Sequence, residues 1–339
     1  MLLKDLCELK GVAGNEKAVR EFIKKDLENA NKTPTIDRMG NLIVTNGVKS
    51  DIHLGITAHM DEVGLMVKGI DDSGLIRFTN VGGLDPRVLV SKVVEIGDED
   101  IPGVIGAKPI HMQKAAERKK AFTIDQLYID IGTGSKKETE NYVSPGDYIN
   151  FISPYQPFGN HKVKAKALDN RVGCFMVMEL IKMDLPIEIT GIFTVQEELG
   201  LRGSQVAANN LETDLVLVLE GTTCGDLTEV EAHLQTTELG KGPAISLMDR
   251  TSIYQRKLVD KLTAVADHHN IPWQYRRNSF GGNDAGRFQH SKGGTPCLSV
   301  ATPCRYIHSP VSVMDERDFE GMKKLLALFI EEISKGGVL

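Results

Sequence analysis

The sequence predicts an α/β protein interrupted by a β-rich insert, and three observations carry that reading. Helical apolar periodicities alternate with near-continuous apolar runs at both ends of the chain, the pattern of a covered, mostly parallel sheet. From about Met66 to Lys162 the texture changes to short Val/Ile/Gly segments between turns such as Gly82-Gly83, Pro102-Gly103 and Pro145-Gly146-Asp147, which suggests a small barrel or sandwich. The 339 residues are enough for two domains at roughly 150 residues each. One α/β domain is therefore expected from residues 1–65 and 163–339, with 66–162 inserted into it. No internal repeat is visible in the sequence.

The first strongly periodic helix carries Val19, Phe22, Ile23 and Leu27 at i, i+3, i+4 and i+8, after a Gly14-Asn15 break suited to an N-cap. Gly40-Asn41 then turns the chain into Leu42-Ile43-Val44, and the apolar run Asp51–Ala58 reads as a strand ending at His59-Met60-Asp61-Glu62. Within the insert, the charge run Glu117-Arg118-Lys119-Lys120 reads as a solvated loop. Beyond it, Val172, Phe175, Met176, Leu180 and Ile181 predict a helix from about Asn170 to Met183. Strands are expected at 188–195, 214–219 and 297–301, a helix around 252–268, and an extended segment at 272–275. The last helix starts after Met314 with Asp315 as its cap and buries Phe319, Met322, Leu326, Phe329, Ile330 and Ile333.

Composition removes several function classes. The formal charge is −6, from 40 basic and 46 acidic residues, which argues against binding a nucleic-acid backbone as the main task. Five scattered cysteines, Cys7, Cys174, Cys224, Cys297 and Cys304, form no CxxC pair. They read as buried or incidental thiols in a reducing compartment, neither a disulfide frame nor a zinc-thiolate site. No apolar run approaches the roughly 20 residues needed to span a bilayer, and no signal peptide is recognisable, so a cytoplasmic protein is expected.

Ligands of an open α/β sheet bind beyond the carboxyl ends of its strands. Several apolar runs here end in acid or histidine: His59-Met60-Asp61-Glu62, Leu168-Asp169-Asn170-Arg171, Gln196-Glu197-Glu198, Glu220 after Leu219, and Arg305-Tyr306-Ile307-His308. Each has an ordinary reading when taken alone. His59 would be a hydrogen-bonded structural residue, Asp169 a helix cap, Glu197 and Glu198 a solvated pair, and Glu220 an exposed turn residue. His53, His111, His161, His233, His268, His269 and His290 stay structural or solvent-facing on this reading. Together the strand-end residues form a mixed N/O set suited to zinc, cobalt or manganese, because a core gains no stability from collecting acids at one edge.

The segments His59-Met60-Asp61-Glu62-Val63-Gly64, Leu168-Asp169-Asn170-Arg171, Gln196-Glu197-Glu198-Leu199-Gly200, Gly281-Gly282-Asn283-Asp284-Ala285 and Arg305-Tyr306-Ile307-His308-Ser309-Pro310 closely resemble the tetrahedral co-catalytic metallo-aminopeptidases. That family includes glutamyl, leucyl and deblocking enzymes, and the resemblance runs almost end to end. It implies a zinc-peptidase-like catalytic domain with a barrel or PDZ-like insert, and two divalent ions per subunit, zinc or cobalt with manganese as the third candidate. By the resemblance, His308 and Glu198 hold one ion, His59 and Glu220 the other, and Asp169 bridges both. Glu197 matches the family's general base, which activates a metal-bridging water, and Asp61 matches the carboxylate that orients His59. Self-association through 66–162, as dimers building a hollow homododecamer, would restrict substrates to short peptides. Two departures stand out: many members have Asp in place of Glu220, and the usual Gly-Gly-Thr-Asp is here Gly281-Gly282-Asn283-Asp284.

Three other classes fit parts of the pattern. A di-metal deacylase or carboxypeptidase would use the same ligands. A glycosidase would use paired glutamates but needs no histidine set, and the single tryptophan is few for a sugar-stacking cleft. A non-catalytic scaffold would lack one of the ligand positions. Arg276, Arg277 and Lys292, near the motif loops, are candidates for favouring an acidic N-terminal residue, or are ordinary surface charge.

Overall fold

A computed structural model describes residues 2–336; Met1 and residues 337–339, the outer ends of the expected first and last segments, lie outside the described residues. The apolar runs become the centre of one mixed sheet. Glu188–Thr194, His53–His59, Leu215–Thr223 and Cys297–Arg305 lie parallel and side by side in that order. Leu54–His59 and Leu215–Glu220 are buried without a break, as strands covered on both faces must be. Outside this centre one short pair, Ala244–Ser246 with Gln274–Arg276, is also parallel, while the flanking strands are antiparallel. Leu42–Asn46 joins one flank antiparallel, and Ser312–Asp315 followed by Lys162–Ala165 joins the other.

Helices Lys17–Asn29, Leu168–Lys182, Arg256–His268 and Glu316–Ser334 share one core with the sheet, where Ile23, Val177, Leu262 and Phe329 are fully buried with Ile56 and Leu217. Each such side chain stabilises the fold by about 1.5–3 kcal/mol of transfer free energy. Asp315 caps the last helix as expected, its side chain accepting from Arg317 N–H. The cap of Lys17–Asn29 is Glu16, one residue after the expected break, and its carboxylate makes no bond to its own helix. Two strands outrun their apolar segments. Leu215–Thr223 and Cys297–Arg305 keep pairing to Thr223 and Cys304, because ladder bonds do not depend on side-chain polarity. Glu220 therefore sits inside a strand rather than after one.

The insert is a closed barrel. Gly64–Ile70, Ile76–Val81, Tyr128–Asp130, Ile101–Gly106, Val93–Ile96 and Tyr148–Phe151 follow one another around it, with Leu65, Phe78, Val94, Ile129 and Ile149 in a core of its own. Closure removes the exposed edges that so short a set of strands would otherwise present. Glu117–Lys119 is an exposed 3₁₀ turn on a connecting loop, as the charge run suggests.

The chain leaves the α/β domain after Glu62 and has returned by Lys166, and these two residues meet in a buried ion pair of 2.6 Å. Arg171 adds a second cation 3.3 Å from Glu62, and the cations donate to the carbonyls of Leu9 and Leu6. Charges buried this deeply persist only when paired and hydrogen-bonded. Beside them Val12 and Ala13 pack with Val81, Met66 and Tyr148 of the barrel, and Val12 forms a bridge with Glu62. No described helix is long and apolar enough to cross a membrane.

Candidate active site

A cleft of about 620 Å³ opens at the C-terminal ends of the central parallel strands, where ligands of such sheets bind. His59, Asp169, Glu197, Glu198, Glu220 and His308 all line it. His59 ends its strand. Glu197 and Glu198 follow Glu188–Thr194, and His308 follows Cys297–Arg305. Asp169 sits in a non-helical kink at the start of Leu168–Lys182, and it is Asn170 Oδ1 that accepts from Gly173 N–H at 3.1 Å, so Asp169 is not the helix cap. Its approach to Glu220 depends on Gly221: a Cβ there would lie 2.9 Å from the Asp169 Cα.

Asp169 Oδ1 lies 3.3 Å from His59 Nε2, while Oδ2 lies 3.8 Å from His308 Nε2. Glu220 Oε2 is 3.5 Å from His59 Nε2, and Glu198 Oε1 is 3.4 Å from His308 Nε2. Each imidazole is oriented from behind. His59 Nδ1 meets the Asp61 carbonyl at 3.0 Å, and His308 Nδ1 meets the Gly83 carbonyl at 3.0 Å. The Asp61 carboxylate lies 3.5 Å from His59 Nδ1, but its closer partners are elsewhere: Oδ1 and Oδ2 accept from the N–H groups of Glu197 and Glu198, both at 3.0 Å.

The electrostatics are those of acids and histidines crowded together out of water. Burial, reinforced by neighbouring carboxylates and opposed by the histidines, pushes Glu198 up to about 7, Glu220 up to about 8 and Glu197 well above its usual range. Burial alone would lower His59, yet Glu197, Glu220, Asp169 and Asp61 hold it well above its ordinary value. Against its own burial, His308 is raised by Glu198 and Asp169. A bare cluster of this kind must hold extra protons, whereas divalent cations would replace them. Glu220 Oε1 is buried with no hydrogen-bond partner, an unpaired acceptor that a cation would satisfy.

Ligand atoms of His59, Asp169 and Glu220 lie within 4.8 Å of one another, as do those of Asp169, Glu198 and His308, so each group has donors able to hold a divalent ion, and Asp169 belongs to both. His59, Glu197 and Glu198 form a third such group, and proximity by itself therefore does not separate a ligand role from a base role for the two glutamates. Cysteine enters none of these groups, and all five cysteines are free and buried. Cys174 donates from beneath the site to the His59 carbonyl at 3.1 Å, with its thiol pushed up to about 12 by burial.

Among the basic residues near the motif loops, Arg276 lines the cleft. Arg277 pairs with Glu238 at 2.7 Å and Lys292 lies 3.6 Å from Glu212, both outside the cleft lining. Sequence reasoning missed three supports. Asn170 Nδ2 holds Glu220 Oε2 at 2.8 Å, buried Asp284 accepts from Thr194 Oγ1 at 2.6 Å, and Glu16 reaches the backbone of Gln196. Asn170 and Asp284 stood inside motifs already singled out, though without a role, and Glu16 offered a separate signal as a poor capping residue at a helix start.

A family model described as M42 glutamyl aminopeptidase matches residues 40–325. The fold is similar to a TET aminopeptidase from the marine sediment archaeon Thaumarchaeota archaeon SCGC AB-539-E09, with a TM-score of 0.94, 33% identity, and coverage of 98% of this chain and 95% of that one. It is also similar to the Pyrococcus horikoshii TET1 peptidase, described as assembling into a tetrahedron or a large octahedral shell (TM-score 0.86, 32% identity, 98% of each chain). A Thermotoga maritima structure described as an endoglucanase is similar as well (TM-score 0.81, 35% identity, 98% of this chain and 97% of that one).

Proposed function

The chain belongs to the M42 glutamyl aminopeptidase family, and from that premise we propose that it removes N-terminal residues from short peptides with two divalent ions and Glu197 as general base. It is a metallo-aminopeptidase, a hydrolase of peptide bonds. The observation that carries the finer reading is Asp169, whose two carboxylate oxygens face different histidines.

In this proposal His59 and Glu220 hold one ion, Glu198 and His308 the other, and Asp169 both. When bound, the ions lower the pKa of a water and polarise the scissile carbonyl. Everything else falls to the chain. Glu198, facing His308, serves as a ligand, which leaves Glu197 to take the proton of the attacking water and deliver it to the leaving amine. Asp61 fixes the backbone of both glutamates, so the base and the ligand move as one unit. The acidic rim favours the cationic α-amine of an unblocked peptide. Zinc or cobalt suits the donor set. Five buried free thiols accord with a reducing, cytoplasmic setting.

The assembly is part of the proposal. The barrel exposes Val93, Val104, Ile110, Met112 and Tyr142, apolar surface suited to a second copy, and dimers joined there would build a closed homododecamer like the tetrahedral form of the P. horikoshii peptidase. Light scattering on metal-loaded protein should show a species far larger than 37.2 kDa. A fully active monomer would exclude this arrangement.

A glycosidase reading, raised by the T. maritima description, requires a carboxylate pair free to act on a sugar. Here the acids are packed against two histidines. Chelator should abolish aminoacyl-substrate hydrolysis, and carboxymethylcellulose should not be cleaved. An anomalous-scattering map from metal-supplemented crystals should place ions against Asp169, and a map without them would overturn the di-metal assignment.

A further inference from the structure

We propose that Glu16 is a positioning residue for the general base, and that it ties the base's backbone to the seating of the barrel. Local chemistry marks the residue first. Glu16 starts the helix Lys17–Asn29, a place that favours Ser, Thr, Asp or Asn, yet its carboxylate caps nothing there. Buried Oε1 instead accepts from Gly14 N–H at 2.7 Å and from Gln196 N–H at 3.1 Å, 180 residues away. A residue that breaks the capping rule of its helix and reaches so far along the chain points to function.

Gln196 immediately precedes the two glutamates, and its φ of 55° is left-handed, a conformation that a non-glycine residue keeps only when its surroundings hold it. Three consecutive N–H groups, those of Gln196, Glu197 and Glu198, are thus taken by two buried acids, Glu16 and Asp61. The opposite side of the Glu16 turn lies on the barrel. Val12 and Ala13 pack against Val81, and Gly14, with φ of 94°, leaves room for Tyr148, whose hydroxyl would lie 2.5 Å from a Cβ at that position. A shift of the barrel therefore reaches Glu197 through residues 12–16. This rests on the reading of Glu197 as base, which its own Gln variant tests separately.

The experiment compares Glu16→Gln, Glu16→Asp and Glu16→Ala for kcat, KM, metal content and melting temperature, using metal-loaded assembled enzyme. Displacing a reacting group by about 1 Å can cost about 100-fold. The side chain left by Glu16→Asp is too short to reach Gln196, and Glu16→Ala removes the acceptor altogether. Both variants should lose roughly 10–100-fold in kcat with KM and metal content unchanged. Glu16→Gln keeps an acceptor oxygen and should stay within about three-fold of the parent, because the geometry and not the charge is used. Parent-like kcat in Glu16→Asp would overturn the proposal, even if Glu16→Ala does not fold. So would a loss in kcat that merely tracks lost metal or lost folded protein. If Glu197→Gln retains turnover, the base assignment fails while the Glu16 result still reports on backbone positioning.

Discussion

The barrel and the strand-end rim are built by opposite rules. The barrel's interior is Leu65, Phe78, Ile129 and Ile149, side chains that any apolar alternation would supply. The rim gathers Asp61, Asp169, Glu197, Glu198, Glu220 and Asp284 beside His59, against the ordinary cost of burying like charges. One region is explained by its own stability and the other only by something it binds. Function is therefore to be sought in the part of the molecule whose burial is unfavourable until a further component arrives.

Four measurements put that contrast at risk, beginning with the largest effect. Glu197→Gln should lower kcat by about 10²–10⁴-fold while metal content, measured by mass spectrometry, stays near the parent value. Glu198→Gln should instead lose metal. Equal metal loss in both variants would show that the glutamates share one role. In the barrel, Ile129→Ala should cost about 2–5 kcal/mol of stability in denaturant titration, with the chemistry of the surviving folded fraction unchanged. A turnover defect beyond the folded fraction would mean that the barrel does more than fold and associate.

Asp61→Asn comes next, with about a 10–100-fold loss of activity, since groups behind metal ligands commonly contribute that much. An undiminished rate would show that the two N–H contacts at 3.0 Å are incidental. The smallest effect concerns pH and the stripped protein. Unfolded glutamates titrate near 4.3 and histidines near 6.5, by roughly their model-peptide values. In the folded, metal-free chain Glu198 holds its proton to about 7 and Glu220 to about 8, with Glu197, His59 and His308 raised in the same direction. The folded state thus binds protons that the unfolded state has released, and stability falls as pH rises through that window. Chelated protein should melt lower at about pH 8 than at about pH 6. Metal reverses the sign, because ligands must shed their protons to bind it. A flat melting temperature in the stripped protein would argue against a repelling cluster.

Much of this was legible in the sequence because the signals were strong and local. Apolar runs ending in His59 and Glu197-Glu198 announce strands and what lies beyond them, and the period of Phe319, Met322, Leu326, Phe329, Ile330 and Ile333 leaves one face to bury. Short strands between turns left barrel and sandwich both open for the insert, and the structure decides for the barrel; the pairing that closes it, Gly64–Ile70 with Tyr148–Phe151, is a long-range fact that short strands do not encode. The supports behind the rim were not legible. Asn170 on Glu220 and Glu16 on Gln196 are contacts between segments 50 and 180 residues apart, and no periodicity reports them. The reach of Asp61 to the glutamate backbone was hidden likewise, because a backbone N–H leaves no mark in composition.

The buried pair Glu62–Lys166 also bears on how the molecule comes to exist. These residues are 104 positions apart, yet their side chains meet at 2.6 Å, so the barrel leaves and returns at nearly one point. An unstructured stretch of that length resists having its ends joined, by an entropy that grows as about (3/2)RT ln n. Once folded, the barrel presents those ends already adjacent, and the effective loop shrinks from about a hundred residues to a few, an entropic saving of about 3 kcal/mol. A barrel that folds first would thus act as a clasp, bringing His59 and Asp169 within reach before the long-range strands between Leu215 and Arg305 have found their register.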